Sequence, residues 1–161
     1  MPINCTFSLN NRRLSSLMCP GVGGFAAFSG MPADRDNPTA VTHADSGPLP
    51  PGRYYIIDRQ SGGHLGWLYD YIRTHGYGTN RSEWFALYRA DGKIDDETYV
   101  NGVRRGAFRL HPIGPRGRSE GCITLASPEG FRQLSTYLRG KGATLAVPGT
   151  TLKAYGTVEV R

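Results

Sequence analysis

Two side chains in this sequence have the types and spacing for thiol chemistry, His111 and Cys122. They lie in Arg109-Leu110-His111-Pro112-Ile113-Gly114-Pro115-Arg116-Gly117-Arg118-Ser119-Glu120-Gly121-Cys122-Ile123-Thr124. Cysteine attacks as a thiolate, so a catalytic cysteine needs a base or a positive environment. His111 can be the base, and Arg109, Arg116 and Arg118 add positive potential. Gly121 lets the backbone approach a reacting carbonyl, and the N–H groups of Gly121 and Cys122 are natural oxyanion donors. Ser119, three residues before the cysteine, can brace the loop or orient the histidine. Each of these residue types also has a structural role: cysteine is often a small buried apolar side chain, and histidine is often simply packed. Metal ligation would need partners beyond this pair, with His64 and His75 as the candidates; neither a metal nor another cofactor is expected.

The flanking chain must supply a scaffold for the pair, and it reads as mostly strands. Residues 3–9 and 12–18 form a predicted hairpin turning at Asn10-Asn11, and a third strand follows over 24–28. A long loop covers 31–52, rich in Pro, Asp and Gly; loops of that length in a compact domain are often functional, though a plain surface excursion fits equally. Strands are predicted at 53–58, 83–89, 97–100, 106–111 and 152–160, with a turn signal at Asn101-Gly102. One short helix is predicted over 63–74. A second, over 128–139, is capped by Ser127-Pro128-Glu129 and stops at Gly140. The expectation is a mainly β, β-rich α+β fold.

Length and composition set the bounds. The 161 residues suit one domain over 1–161. The 22 glycines and 11 prolines favour short strands and turns over long helices. A net charge of +6 suits an anionic partner, but the arginines are dispersed and no like-charge block forms a nucleic-acid arm. No stretch is long and apolar enough to span a membrane. Met1-Pro2-Ile3-Asn4-Cys5-Thr6 has neither a basic nor an apolar leader region, so synthesis in the cytoplasm without a signal peptide is expected. Cys5, Cys19 and Cys122 have no metal-ribbon spacing. Cys5 and Cys19 can pair in an oxidising compartment, or all three can be thiols.

The word Ser119-Glu120-Gly121-Cys122-Ile123, with a histidine one loop upstream, resembles the active-site signature of the L,D-transpeptidase (YkuD-like) family. The order of histidine before cysteine also matches, and is opposite to that of papain-like and NlpC-type hydrolases. Upstream, Phe28-Ser29-Gly30 and Gly47-Pro48-Leu49-Pro50-Pro51-Gly52-Arg53-Tyr54 resemble that family's entry to its central sheet. The likeness covers roughly residues 24–126, with a motif-bearing core of about 24–140, and it is greatest to the L,D-transpeptidase-like antibacterial effectors of type VI secretion. Two positions depart from the pattern: Thr124 stands where many members have arginine, and Pro112 where many have glycine.

The resemblance implies a β-sandwich with two short helices, in which Cys122 is the nucleophile, His111 its base, and Ser119 and Gly121 shape the site. Arg109, Arg116, Arg118 and Thr124 are then the candidates for substrate binding. It also implies a reaction: attack on a peptidoglycan tetrapeptide stem, loss of the terminal D-alanine, and resolution of the thioester by water, a D-amino acid or another stem's amine. The implied partners are stem peptides, the secretion machinery and a cognate immunity protein, with the protein acting as a monomer in the periplasm of target bacteria. Two other functions fit the residues: a thiol endopeptidase cutting cross-links, and a non-catalytic basic module binding cell wall or nucleic acid.

Overall fold

The computed structural model describes residues 2–58, 84–114 and 119–161. The helix expected over 63–74 lies outside them, as do Arg116, Arg118, His64 and His75. The fold is mainly β. β1 (Ile3–Phe7) buries Ile3, Cys5 and Phe7 and turns the residues between them outward. The return strand β2 (Ser15–Cys19) starts later than expected. The reason is the turn: Asn10 accepts from the Arg12 N–H and donates to the Leu14 carbonyl, while Asn11 takes a φ of +55°. The register sets Cys5 opposite Cys19, and the two form a disulfide.

β3 (Gly23–Phe28), β4 (Gly52–Asp58) and β5 (Phe85–Arg89) fall close to the predicted strands. The run expected at 106–111 is divided: β7 (Val103–Gly106) completes a hairpin with β6 (Glu97–Val100), and β8 (Arg109–Pro112) joins the main sheet. Ala107, with a φ of +55°, breaks the run between them. Asn101 and Gly102, both at positive φ, form the predicted hairpin turn. β9 (Ile123–Leu125) follows the cysteine, and the short β10 (Leu145–Ala146) precedes β11 (Lys153–Val160).

Among the described residues, the sheet runs β1-β2-β3-β9-β8-β5-β4-β11 and returns to β1, so it closes into a barrel. β11 makes the closure, antiparallel to β4 and parallel to β1. Gly156 permits that seam, because a Cβ there would come within 2.1 Å of the Ile3 carbonyl.

The helix α1 (Pro128–Lys141) begins as expected: Ser127 caps the Gly130 N–H at 3.1 Å. It runs past Gly140 and ends at Gly142, whose φ of +81° suits glycine and whose N–H bonds the Leu138 carbonyl. Phe131, Leu134 and Leu138 pack with Phe7, Leu17, Phe85, Leu110, Ile123 and Leu125 in the main core. Each such buried side chain contributes about 1.5–3 kcal/mol relative to exposure. A second cluster, Ile57, Ala86, Val147 and Ala154, is separate from that core.

Candidate active site

β8 and β9 are parallel neighbours, with Leu110 opposite Ile123 and His111 opposite Thr124. Side chains alternate along a strand. Leu110 and Ile123 enter the main core, so Arg109, His111, Cys122 and Thr124 share the opposite face. Extending the register by one residue sets Arg109 opposite Cys122. The motif thus becomes a four-residue patch on β8 and the start of β9, with Cys122 and His111 diagonal neighbours.

Cys122 is the free cysteine of the chain and is buried. Burial pushes its thiol up to about 11, against opposing effects of the Arg109 backbone N–H and the Arg109 charge; Glu120 and Asp96 push it further up. His111 is wholly buried and stacks on Trp84 with ring centroids 4.4 Å apart. Burial lowers its pKa to about 4, and the hydrogen bond to Pro112 partly offsets this. Nδ1 lies 2.7 Å from the Pro112 carbonyl, an acceptor, which assigns the proton to Nδ1. Nε2 is then the basic nitrogen. It lies 3.3 Å from the Thr124 hydroxyl.

Ser119 takes the bracing role: its hydroxyl donates to the Cys122 carbonyl at 2.7 Å and accepts from the Gly30 N–H at 3.3 Å. The neighbouring Ser29 accepts from the Leu49 N–H, so the ends of the long loop converge beside the cysteine. Gly121 has a φ of +103°, and a Cβ there would lie 2.7 Å from Nη2 of Arg105 and 3.1 Å from Phe108. Both conformation and space require glycine.

The structure puts Arg109 beside the cysteine, but its guanidinium is engaged: Nη1 and Nη2 each reach an Asp96 carboxylate oxygen at 2.7 Å. Nε is buried with no hydrogen-bond partner among the described residues. Thr124 is buried against His111. Among the described residues, no three His, Cys, Asp or Glu side chains gather as metal ligands. No described helix is long and apolar enough to cross a membrane.

Three residues outside the motif complete the site: Trp84, Asp96 and Arg105. Arg105 was legible in part. The Asn101-Gly102 turn sets the hairpin register, so Arg104 and Arg105 must face opposite ways, with Arg105 paired to Thr98 and Arg104 to Tyr99. Arg105 is the inward one; it donates to the carbonyls of Val41, Gly47 (2.9 Å) and Pro48 (3.1 Å).

Residues 23–150 match the family model of the Tlde1 domain. The chain belongs to that family. Tlde1 domains are L,D-transpeptidase-like effectors of type VI secretion, and the match takes in β3, the long loop, the His111–Cys122 patch and α1. No curated protein and no solved structure matches the chain.

Proposed function

We propose that this Tlde1 domain is a cysteine acyl-transfer enzyme of peptidoglycan stem peptides. The observation that supports the reading is the shared face of β8 and the start of β9, on which His111 and Cys122 are diagonal neighbours, with a tautomer that leaves Nε2 basic.

At rest the pair is neutral, a thiol beside an imidazole, because burial opposes charge on both. Proton transfer therefore accompanies attack instead of preceding it. Cys122 attacks the carbonyl of the third stem residue while its proton passes to His111. The backbone N–H groups of Gly121 and Cys122 receive the developing oxyanion. The imidazolium then protonates the leaving amine, D-alanine departs, and a thioester remains. Water resolves it in a carboxypeptidase; a D-amino acid or another stem's amine resolves it in a transpeptidase.

With Arg109 held by Asp96 and Thr124 by His111, Arg116 and Arg118 are the arginines assigned to the substrate carboxylate. Loss of tetrapeptide donors would weaken the wall, which fits an antibacterial effector acting in the periplasm of a rival cell. A cognate immunity protein in the producing cell follows from that role.

The test is incubation with purified tetrapeptide muropeptides. Release of D-alanine by wild type, with a fall of at least about a thousandfold in Cys122→Ala, is expected for loss of a nucleophile. Equal turnover by Cys122→Ala sinks the reading. Loss of cross-linked dimers without D-alanine release reassigns the enzyme as an endopeptidase. Unchanged substrate with wild type leaves the binding-module reading.

A further inference from the structure

Arg105 is a buried cation whose companions are dipoles. Its side chain is 2% exposed. It is held by the carbonyls of Val41, Gly47 and Pro48, and no carboxylate lies within ion-pair distance among the described residues. Carbonyls satisfy its N–H groups but leave its unit charge in place, and a buried cation without an anion is costly. Nη2 abuts Gly121, the residue before Cys122, at the point where a Cβ would lie 2.7 Å away. Among the described residues, the remaining charged and ionisable groups around Arg105 are Tyr54, Cys122 and the exposed Asp45. Cys122 in turn faces Arg109 on β8, Glu120 in its own loop and Asp96, with His111 its diagonal neighbour across the strands.

We infer that Arg105 is a positioning residue for the nucleophile: its fixed charge, held in the carbonyl cage of the 41–48 segment, stabilises the negative charge that develops on the Cys122 sulfur as its proton leaves. This role rests on Cys122 being the reacting thiol, as proposed above. When the thiol proton leaves for His111, the negative charge on sulfur forms one residue along from a guanidinium already fixed and already desolvated. Little has to move in response, which is what makes such a charge effective. It also links two stretches remote in sequence. The loop that supplies the carbonyls and the hairpin that supplies the arginine must both be docked before the thiolate is stabilised.

The experiment is the pH dependence of Cys122 alkylation by iodoacetamide in the intact folded chain, with Cys5 and Cys19 oxidised. Arg105→Gln is expected to raise the midpoint by at least one pH unit, a tenfold slower reaction at fixed pH below it. Arg105→Lys, which keeps the charge, is expected to stay within half a unit of wild type. A glutamine variant that titrates with wild type overturns the inference, as does a lysine variant shifted as far as the glutamine one. If Arg105→Gln does not fold, Asp45→Asn at low salt decides the matter. Removing that acid leaves more of the Arg105 charge uncompensated, so the midpoint should fall by a few tenths of a unit; an unmoved or raised midpoint overturns the inference. Alkylation reads the thiol alone, so a protein that behaves as expected here yet leaves muropeptides untouched would sink the peptidoglycan reading and not this one.

Discussion

Arg105 and Arg109 sit on consecutive strands and are buried to the same extent; the β8–β9 register extends to set Arg109 opposite Cys122, and Arg105 abuts the preceding Gly121. What holds them differs. Arg109 grips Asp96 through two bonds of 2.7 Å. Burial works against its charge, but the Asp96 hydrogen bonds and charge more than offset that, and its pKa rises. Arg105 has carbonyls in place of a carboxylate, and burial lowers its pKa. One arginine belongs to a nearly neutral unit that fastens β8 to the approach to β6. The other retains its field. Counting arginines near a cysteine is therefore a poor guide to the potential at its sulfur; the identity of each arginine's acceptor decides it.

The largest effect should come from breaking the neutral unit. Asp96→Ala leaves Arg109 charged and uncompensated in a buried site, a loss of about 3–5 kcal/mol. At roughly 2–4 °C per kcal/mol for a chain of this size, the melting temperature should fall by on the order of 10 °C. Asp96→Asn, which keeps an acceptor, should fall less. Thermal unfolding followed by circular dichroism checks both. A loss under about 1 kcal/mol for the alanine variant would mean that water screens the pair as it screens a surface bridge, and the contrast with Arg105 would lose its basis.

The sequence made one half of this contrast visible and hid the other. His111, Ser119, Gly121 and Cys122 were legible because their chemistry is carried in a local word, and β8 continues the alternation before it. β9 was not: at three residues, Ile123–Leu125 is too short for its alternation to mark a strand. Arg109 was legible as a cation near the cysteine, but not as one already matched, because Asp96 lies thirteen residues back and meets it only through the hairpin's packing. Arg105 shows the limit most clearly. Strand parity says that one of two adjacent arginines turns inward; only the tertiary fold says that Val41, Gly47 and Pro48 wait there. The disulfide was similarly open, since spacing permitted it and only the β1–β2 register decided it.

A second intervention acts, through pH, on the long loop that also carries the cage around Arg105. Asp36 is fully buried in the long loop. Its Oδ1 accepts from the Ser29 N–H at 2.9 Å, and its own N–H donates to the Ser29 carbonyl at 2.8 Å. Oδ2 has no hydrogen-bond partner among the described residues. Burial raises its pKa to about 7, against the opposing effects of the Ser29 N–H and the Arg35 charge. The folded state thus holds a proton that the unfolded state releases near the ordinary value of 3.8. That stability is fully present below this value and is lost as pH rises through about 7. Asp36→Asn keeps the Oδ1 acceptor and removes the titration. Its melting temperature should track wild type at pH 4 and exceed it by several degrees at pH 8, since each pH unit between the two pKa values is worth about 1.4 kcal/mol. Curves that stay parallel across this range would show that the loop anchor does not titrate. The Asp96–Arg109 unit is unaltered by this substitution, so the gain belongs to the anchor of the long loop.

The smallest effect on stability should come from a change that touches neither arginine. Thr124→Val preserves shape and removes the hydroxyl lying 3.3 Å from Nε2 of His111. One such hydrogen bond is worth about 1 kcal/mol net, so the melting temperature should move by only a few degrees. Turnover of muropeptides should respond more, because the hydroxyl orients the ring that must take and return the proton; a fall of about tenfold corresponds to about 1.4 kcal/mol of transition-state stabilisation. The alkylation midpoint of Cys122 should stay within a few tenths of a unit of wild type, since the charges that set it remain. This separates two roles within one patch: Thr124 acts on the geometry of the base, and Arg105 on the charge of the nucleophile. A Thr124→Val protein whose alkylation midpoint rose as far as that of Arg105→Gln would erase the distinction. It would mean that access to His111, not the field of a buried guanidinium, governs when the thiol gives up its proton.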